Sequence, residues 1–310
     1  MWAKIKRTIK QSAPVVFSIE LSKKLALPGF DGLSLYEVIT FFIDSLRKGV
    51  ILIRASSLAF NYMLAIFPAI IFLFTLLAYI PVDNFQEELL ILLKDVLPKN
   101  AYETIRLTVE DLVSERRGSL LSFGFIVALF FSSNGVNSMI NAFNTTYKTR
   151  SRSAISQRLI ATGLTIILSM LLITAIALII FSEMVLDFLI DKGVLNIDLT
   201  YFLLIFGKWV TIVALIFCAI SFLYYLGPAK VNRWTFITPG STLATLLTLA
   251  TSVGFSYFVN NFGHYNKVYG SIGTLMVIML WLHFNSVILL IGFELNASID
   301  KAKKGKEVIP

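Results

Sequence analysis

The chain has 310 residues, of which 56% are hydrophobic and only 15% are charged, and its mean hydropathy is +0.78. This composition excludes an ordinary water-soluble globular protein, and a single cysteine excludes a disulfide framework. Two histidines that lie far apart in sequence do not match any usual zinc-ligand spacing, so we expect no metal or other cofactor. The net charge of +8 is compatible with nucleic-acid binding, but basic residues in membrane proteins usually mark the cytoplasmic side.

The first 34 residues form a basic segment, which we expect in the cytoplasm because no apolar stretch of signal-peptide length occurs in it. Ser34 and Glu37 have the spacing of a capping box, and apolar residues then recur at helical spacing. Because Arg47 and Lys48 occupy the opposite face, the pattern predicts an amphipathic helix that lies on the cytoplasmic leaflet.

Six apolar segments follow, and each is at least as long as the roughly 20 residues that a helix needs to cross a hydrocarbon core. The segments are 58–80, 120–143, 159–181, 201–226, 236–259 and 272–295. If both termini are cytoplasmic, 19 of the 27 Lys and Arg residues lie inside and 7 lie outside. The positive-inside rule therefore predicts an all-α, polytopic membrane protein with six transmembrane helices and cytoplasmic termini.

The first outer loop carries two further segments with leucine or valine at mixed helical spacing, 85–97 and 100–113, which Pro98 separates. They predict two short amphipathic helices. One interpretation is that these helices pack against the bundle from outside, and the other is that they form a lid over an outward-facing cavity.

Four asparagines in the second span and at its exit have spacings of three, four and three residues, which places them on one stripe of a helix. They are Asn134, Asn137, Asn141 and Asn144. Because such a stripe is costly against lipid, it should face other helices. Two interpretations remain open: hydrogen bonds that join helices, or the wall of a polar cavity open toward the cytoplasm.

Individual residues in the other spans have distinct expected roles. Pro68 should kink the first span, and Asn61, two turns earlier, could satisfy freed backbone groups or join the asparagine stripe. In the fifth span, small and hydroxyl residues near Gly240 predict close helix packing.

Three ionisable side chains occur inside the predicted spans: Lys208, His283 and Glu294. Lys208 and Glu294 are close enough to span ends to reach headgroups. His283 is near mid-membrane beside Asn285 and is more typical of a bundle residue than of a proton relay. A transport function would favour Glu294 first, because an intramembrane carboxylate is costly.

Several short motifs occur in a characteristic order along the chain. They are Ala59–Tyr62, Gly227-Pro228, Pro239-Gly240, Tyr269-Gly270, Trp281-Leu282-His283 and Gly292-Phe293-Glu294-Leu295-Asn296. With this order the chain resembles the YihY/BrkB family of bacterial inner-membrane proteins over residues 35–300. The resemblance implies a six-span protein of the cytoplasmic membrane, in which Pro68, Gly240, Tyr269, Gly270, Trp281 and Gly292 are structural residues. His283 departs from the family, which more often has tyrosine there.

The resemblance also implies a poorly defined substrate, for which transport of an envelope lipid or a lipid precursor is the leading suggestion. The family's historical label, ribonuclease BN, is not supported, because clustered His and Asp metal ligands are missing from the sequence. We therefore expect a single membrane domain (1–310, with a tail at 301–310) that is not an enzyme and binds no nucleic acid. Its expected partners are membrane lipids. A structural scaffold that binds envelope-assembly proteins is the alternative.

The predicted site is a polar cavity between the second, fifth and sixth spans. Its candidate wall residues are Asn61, Asn134, Asn137, Asn141, Asn285 and Glu294. Arg158 and Arg233 are the candidates for contact with a phosphate headgroup at the cytoplasmic mouth, although both also fit the role of positive-inside anchors.

Overall fold

The computed structural model describes residues 20, 22–25, 29–30, 32–48, 51–77, 118–147, 152–191, 197–229, 235–261 and 271–307. The predicted helices at 85–97 and 100–113 lie outside these residues, as do Arg233, Tyr269 and Gly270.

Seven helices of fourteen residues or more make up almost all of the described chain, and these residues contain no strand. The helices are α1 (Leu35–Lys48), α2 (Ile51–Leu77), α3 (Gly118–Tyr147), α4 (Ala154–Asp191), α5 (Ile197–Leu226), α6 (Pro239–Asn261) and α7 (Ser271–Glu307). α2 packs against α3 and α7, α4 packs against α3 and α5, and α6 packs against α5 and α7. The prediction of an all-helical chain is confirmed for the described residues.

Five of the helices contain a segment long and apolar enough to cross a membrane. The segments are Phe123–Thr146, Ala154–Ala175, Phe206–Leu226, Pro239–Val259 and Leu275–Lys304. α2 adds a shorter apolar segment, Ile51–Ile66. α2 begins seven residues before the predicted start of the first span, directly after α1, because the Arg54 side chain is accommodated by contacts with α3.

A helix, α1, is present in the segment that was predicted to lie on the cytoplasmic leaflet. The backbone N–H and the hydroxyl of Ser34 both donate to Glu37 Oε2 at 2.9 Å, as a capping box requires. Val38 is fully buried in a small apolar cluster with Ile299 and Ala302 of α7. One face of α1 therefore packs on α7, which defines the α1 end of the bundle.

The centre of the bundle is an aromatic cluster that joins three helices. Phe143 of α3 stacks on Phe293 of α7, with ring centroids 4.0 Å apart, and meets Tyr224 of α5 edge-on at 5.6 Å. The Tyr224 hydroxyl donates to Leu289 O at 2.6 Å, so the polar tip of the ring is satisfied.

α6 and α7 approach most closely where two glycines face each other. A Cβ atom on Gly292 would lie 2.6 Å from the carbonyl oxygen of Gly240, and a Cβ atom on Gly240 would overlap with the carbonyl oxygen of Gly292. Farther along the same pair, Trp281 packs its ring 4.9 Å from that of Phe255. Pro68 lies within α2, which continues as helix to Leu77.

Candidate functional site

A buried carboxylate joins three helices at the α1 end of the bundle. Glu294 of α7 is only 4% exposed, and its Oε2 accepts a hydrogen bond from the Thr146 hydroxyl of α3 at 2.9 Å. Arg54 Nη1 of α2 donates to the same hydroxyl at 2.9 Å and to Ala142 O at 3.1 Å. Lys301 Nζ lies 3.7 Å from Glu294 Oε1. The carboxylate therefore points into the bundle instead of toward headgroups. Lys301 pairs with it directly, and Arg54 is connected to it through the Thr146 hydroxyl.

The asparagine stripe of α3 faces α4. Gln157 Nε2 donates to both Asn137 Oδ1 and Asn141 Oδ1 at 2.8 Å. Arg158 Nη1 donates to Asn134 Oδ1, and its guanidinium carbon lies 4.5 Å from the centroid of the Phe130 ring. These contacts have the geometry of interhelical hydrogen bonds, and they keep Arg158 along α3.

Two of the remaining amides bond within their own helices, and a third joins two helices. Asn61 Nδ2 donates to Ser57 O at 2.9 Å, and Asn285 Nδ2 donates to Trp281 O at 2.8 Å, each within its own helix. Asn144 Oδ1 accepts from the backbone N–H of Ala229 at 2.8 Å and so ties α3 to the end of α5. The structure thus brings together Asn137 and Asn141 through Gln157, and it places Glu294 in a separate cluster with Thr146 and Arg54.

Arg152, a basic residue in the short loop before α4, binds backbone carbonyl groups at the end of α5. Its Nη1 donates to Gly227 O at 2.9 Å, and its Nη2 donates to Pro228 O at 2.7 Å. Partial burial lowers the pKa of the Arg152 guanidinium below its ordinary value. The guanidinium caps the end of α5, where carbonyl groups lack intrahelical donors.

Four buried polar atoms have no hydrogen-bond partner within the described part of the chain. They are the hydroxyls of Tyr62 and Ser221, the Nδ2 of Asn144 and the Oε1 of Gln157. An unsatisfied buried group costs about 1–3 kcal/mol, so each of these atoms lowers the stability of the bundle. The sequence did not identify Gln157, Thr146 or Arg54 as site residues. The one signal for them was their position near the ends of predicted spans.

A groove of about 550 Å³ lies between α2, α6 and α7. Its lining consists of Ser56, Ala59, Phe258, Leu275, Met276, Val277, Met279, Leu280 and His283. Leu275, Met276 and Leu280 are also exposed on the surface of the bundle, so the groove opens sideways. A second hollow of about 390 Å³ adjoins it and shares Phe258 and Leu280.

Ser56 and His283 are the only polar side chains among the described residues that line the larger groove. Ser56 Oγ lies 3.4 Å from His283 Nδ1 and donates to Leu52 O at 2.9 Å. The Ser56 bond to the carbonyl four residues earlier in its own helix is a common packing feature of serine in helices. Lys208, the other ionisable candidate, is exposed on α5.

Comparison with known proteins places this architecture in a family. Residues 42–309 match the family described as Virulence factor BrkB. The chain belongs to the BrkB family. It is 31% identical to YfkH of Bacillus subtilis (strain 168) over 253 residues, which cover 81% of this chain and 90% of YfkH. YfkH is named as a ribonuclease-like protein, and that designation is itself provisional.

Shorter matches connect this BrkB protein to proteins named UPF0761 membrane proteins. It is 33% identical over 82 residues to one from Tolumonas auensis, which covers 26% of this chain and 27% of the relative. It is 28% identical over 97 residues to one from Vibrio cholerae, which covers 31% of this chain and 32% of the relative. No solved structure matches the chain. The apolar helices and the relatives agree that this BrkB protein is a membrane protein.

Proposed function

We propose that this BrkB protein binds a membrane amphiphile, such as an envelope lipid or a lipid precursor, in the groove between α2, α6 and α7 and moves it across the bilayer. The observation that supports the proposal is the groove itself: about 550 Å³, almost entirely apolar, and open to the side of the bundle. Its volume is in the range of small-molecule sites, and its lining suits an acyl chain.

The position of the groove favours a lipid over a soluble ligand. Its α7 residues Leu275 to Leu280 lie within an apolar segment long enough to span the hydrocarbon core. The molecules that reach a sideways opening at this depth are membrane lipids. An acyl chain in the groove would contact Met276 and Met279, whose flexible side chains adapt to differently shaped ligands.

The proposed topology has six spans with both termini in the cytoplasm of a bacterial cell, so the α1 end is the cytoplasmic end. Five apolar helices and the 27-residue α2 support six spans. Four basic residues and no acidic residue occur between positions 144 and 158, in the connection from α3 to α4 at this end. A thiol-accessibility experiment tests this topology. In a protein that carries Cys218→Ala and Lys192→Cys, an impermeant thiol reagent should label residue 192 only from the periplasmic side.

Within this proposal, the polar contacts at the α1 end hold the helices together. Glu294, Thr146 and Arg54 would close the cytoplasmic end of the bundle while the groove takes the lipid. This division of roles replaces the single polar cavity that the sequence suggested. The ribonuclease-like name belongs to YfkH, and the contacts of the described residues add no support for an enzyme in this chain.

A groove-filling variant tests the proposal. Leu280→Trp places an indole in the groove, whereas Leu172→Trp adds the same side chain to α4, where leucine is 62% exposed. Both proteins are purified in mild detergent, and the lipids that stay bound are measured by native mass spectrometry. We expect lipid retention to fall several-fold in Leu280→Trp and to stay at the wild-type level in Leu172→Trp. Equal retention in both variants would contradict lipid binding in the groove and favour the scaffold alternative.

A further inference from the structure

The two polar side chains of the groove, Ser56 and His283, determine which atom can accept a hydrogen bond from a ligand. A serine hydroxyl carries one proton, and that of Ser56 is donated to Leu52 O at 2.9 Å. Toward His283 Nδ1, which lies 3.4 Å away, the Ser56 oxygen is therefore an acceptor. The two contacts of the Ser56 hydroxyl form together only when Nδ1 carries the imidazole proton.

The other ring nitrogen of His283 is then an acceptor. A neutral imidazole has one N–H donor and one acceptor nitrogen, so protonation at Nδ1 leaves a lone pair on Nε2. The described residues provide His283 with no hydrogen-bond partner other than Ser56. His283 is twelve residues after the first residue of α7, about 18 Å along the helix axis, which is far from either interface.

None of the described residues supplies a donor to this acceptor, so a ligand in the groove is placed to supply one. Water is scarce in the hydrocarbon core, and an unsatisfied polar group there is costly. The other described residues of the groove lining have apolar side chains. A ligand that satisfies both conditions has a long apolar chain and one O–H group along it.

We infer that the groove selects an amphiphile with a hydroxylated acyl chain, whose O–H donates to His283 Nε2. The inference rests on the proposed lipid binding and adds the class of lipid. His283 determines specificity by direct contact with the hydroxyl. Ser56 is a positioning residue, because its oxygen holds the Nδ1–H form of the ring and thus the acceptor on Nε2.

The test compares two phosphatidylcholines that differ only by a hydroxyl in the middle of one acyl chain. Each displaces a fluorescent phospholipid from the full-length protein in nanodiscs, and the ratio of the two affinities is measured. We expect wild type to prefer the hydroxylated lipid by about five- to tenfold, the contribution of one hydrogen bond. In His283→Phe the ratio should fall to about one while the plain lipid still binds.

Two further variants separate the specificity from general effects on the groove. Ser56→Ala should reduce the ratio without removing plain-lipid binding, because the ring then loses the contact that fixes its orientation in the groove. Met279→Leu alters the apolar lining only and should keep the wild-type ratio.

The possible failures are distinguishable. A ratio near one in wild type would overturn the hydroxyl inference. The proposed function would remain intact if the plain lipid binds the wild type and binds the Leu280→Trp variant less tightly. Failure of either lipid to displace the probe in wild type would contradict the proposed function itself. A preference that persists in His283→Phe would overturn the role assigned to His283.

Discussion

Asn296 of α7 caps the first turn of α6 through the backbone of Gly240. Its Oδ1 accepts the Gly240 N–H at 2.8 Å, and its Nδ2 donates to the Thr238 hydroxyl at 2.9 Å. The first N–H groups of a helix have no intrahelical acceptor, so capping from a neighbouring helix both starts α6 and fixes its register on α7.

Removal of this cap should destabilise the protein. In Asn296→Ala we expect a loss of about 1–2 kcal/mol in the free energy of unfolding, the usual cost of a lost cap. Asn285→Ala is the matched control, because Asn285 bonds only to Trp281 O of its own helix among the described residues. Thermal unfolding in detergent measures both. Equal midpoints for the two variants would mean that the Asn296 cap contributes nothing.

The close contact between Gly240 and Gly292 predicts that glycine-to-alanine substitutions at different positions change the stability by different amounts. Gly292→Ala should destabilise the protein by about 1–3 kcal/mol, because the new methyl group would overlap with Gly240 O and Ala244. Gly163→Ala in α4 meets nothing within 4 Å and should be neutral or stabilising by up to about 1 kcal/mol. Thermal unfolding separates them. A Gly292→Ala protein as stable as Gly163→Ala would show that α6 and α7 are not in close contact.

The Thr146–Glu294 hydrogen bond should appear as energetic coupling. A double-mutant cycle with Thr146→Val and Glu294→Met is expected to give a coupling energy of about 0.5–3 kcal/mol, because each change removes one partner of the buried hydrogen bond. Lys301 is 41% exposed, so Lys301→Ala should cost less than about 1 kcal/mol. Coupling within error of zero would contradict the contact between α3 and α7.

Ser221 gives the opposite expectation. Its hydroxyl is fully buried without a partner among the described residues. Ser221→Ala should therefore leave the unfolding midpoint unchanged or raise it, because an unsatisfied polar group is removed at small loss of volume. Thr146→Val, which removes a satisfied hydroxyl, should lower the midpoint. A clear loss of stability in Ser221→Ala would indicate that an internal water satisfies the hydroxyl.

Much of the fold follows from the sequence because long apolar segments leave the backbone few alternatives to helix. The capping box at Ser34 and the close packing near Gly240 were also readable, since they depend on local spacing. The position where α2 begins was not, because Arg54 is tolerated there only through contacts with Ala142 and Thr146 of α3.

The sites were harder to predict than the helices. The spacing of Asn137 and Asn141 places them on one face, but nothing local identifies Gln157 as their partner. Glu294 stood out as an intramembrane carboxylate, yet its hydrogen bond across the bundle comes from Thr146, 148 residues away in sequence. The groove was invisible, because ordinary apolar residues from three helices form it and only their packing leaves space.

The central claim, that a lipid occupies the groove between α2, α6 and α7, is tested most directly by photo-crosslinking. A phospholipid with a diazirine in one acyl chain is incorporated into nanodiscs with the protein, irradiated, and located by peptide mass spectrometry. We predict that cross-links concentrate on Phe258, Met276 and Leu280 and that unlabelled lipid competes for them. Cross-links spread evenly over exposed apolar side chains of other helices, such as Leu172 and Ile173 of α4, and insensitive to competition would contradict the claim.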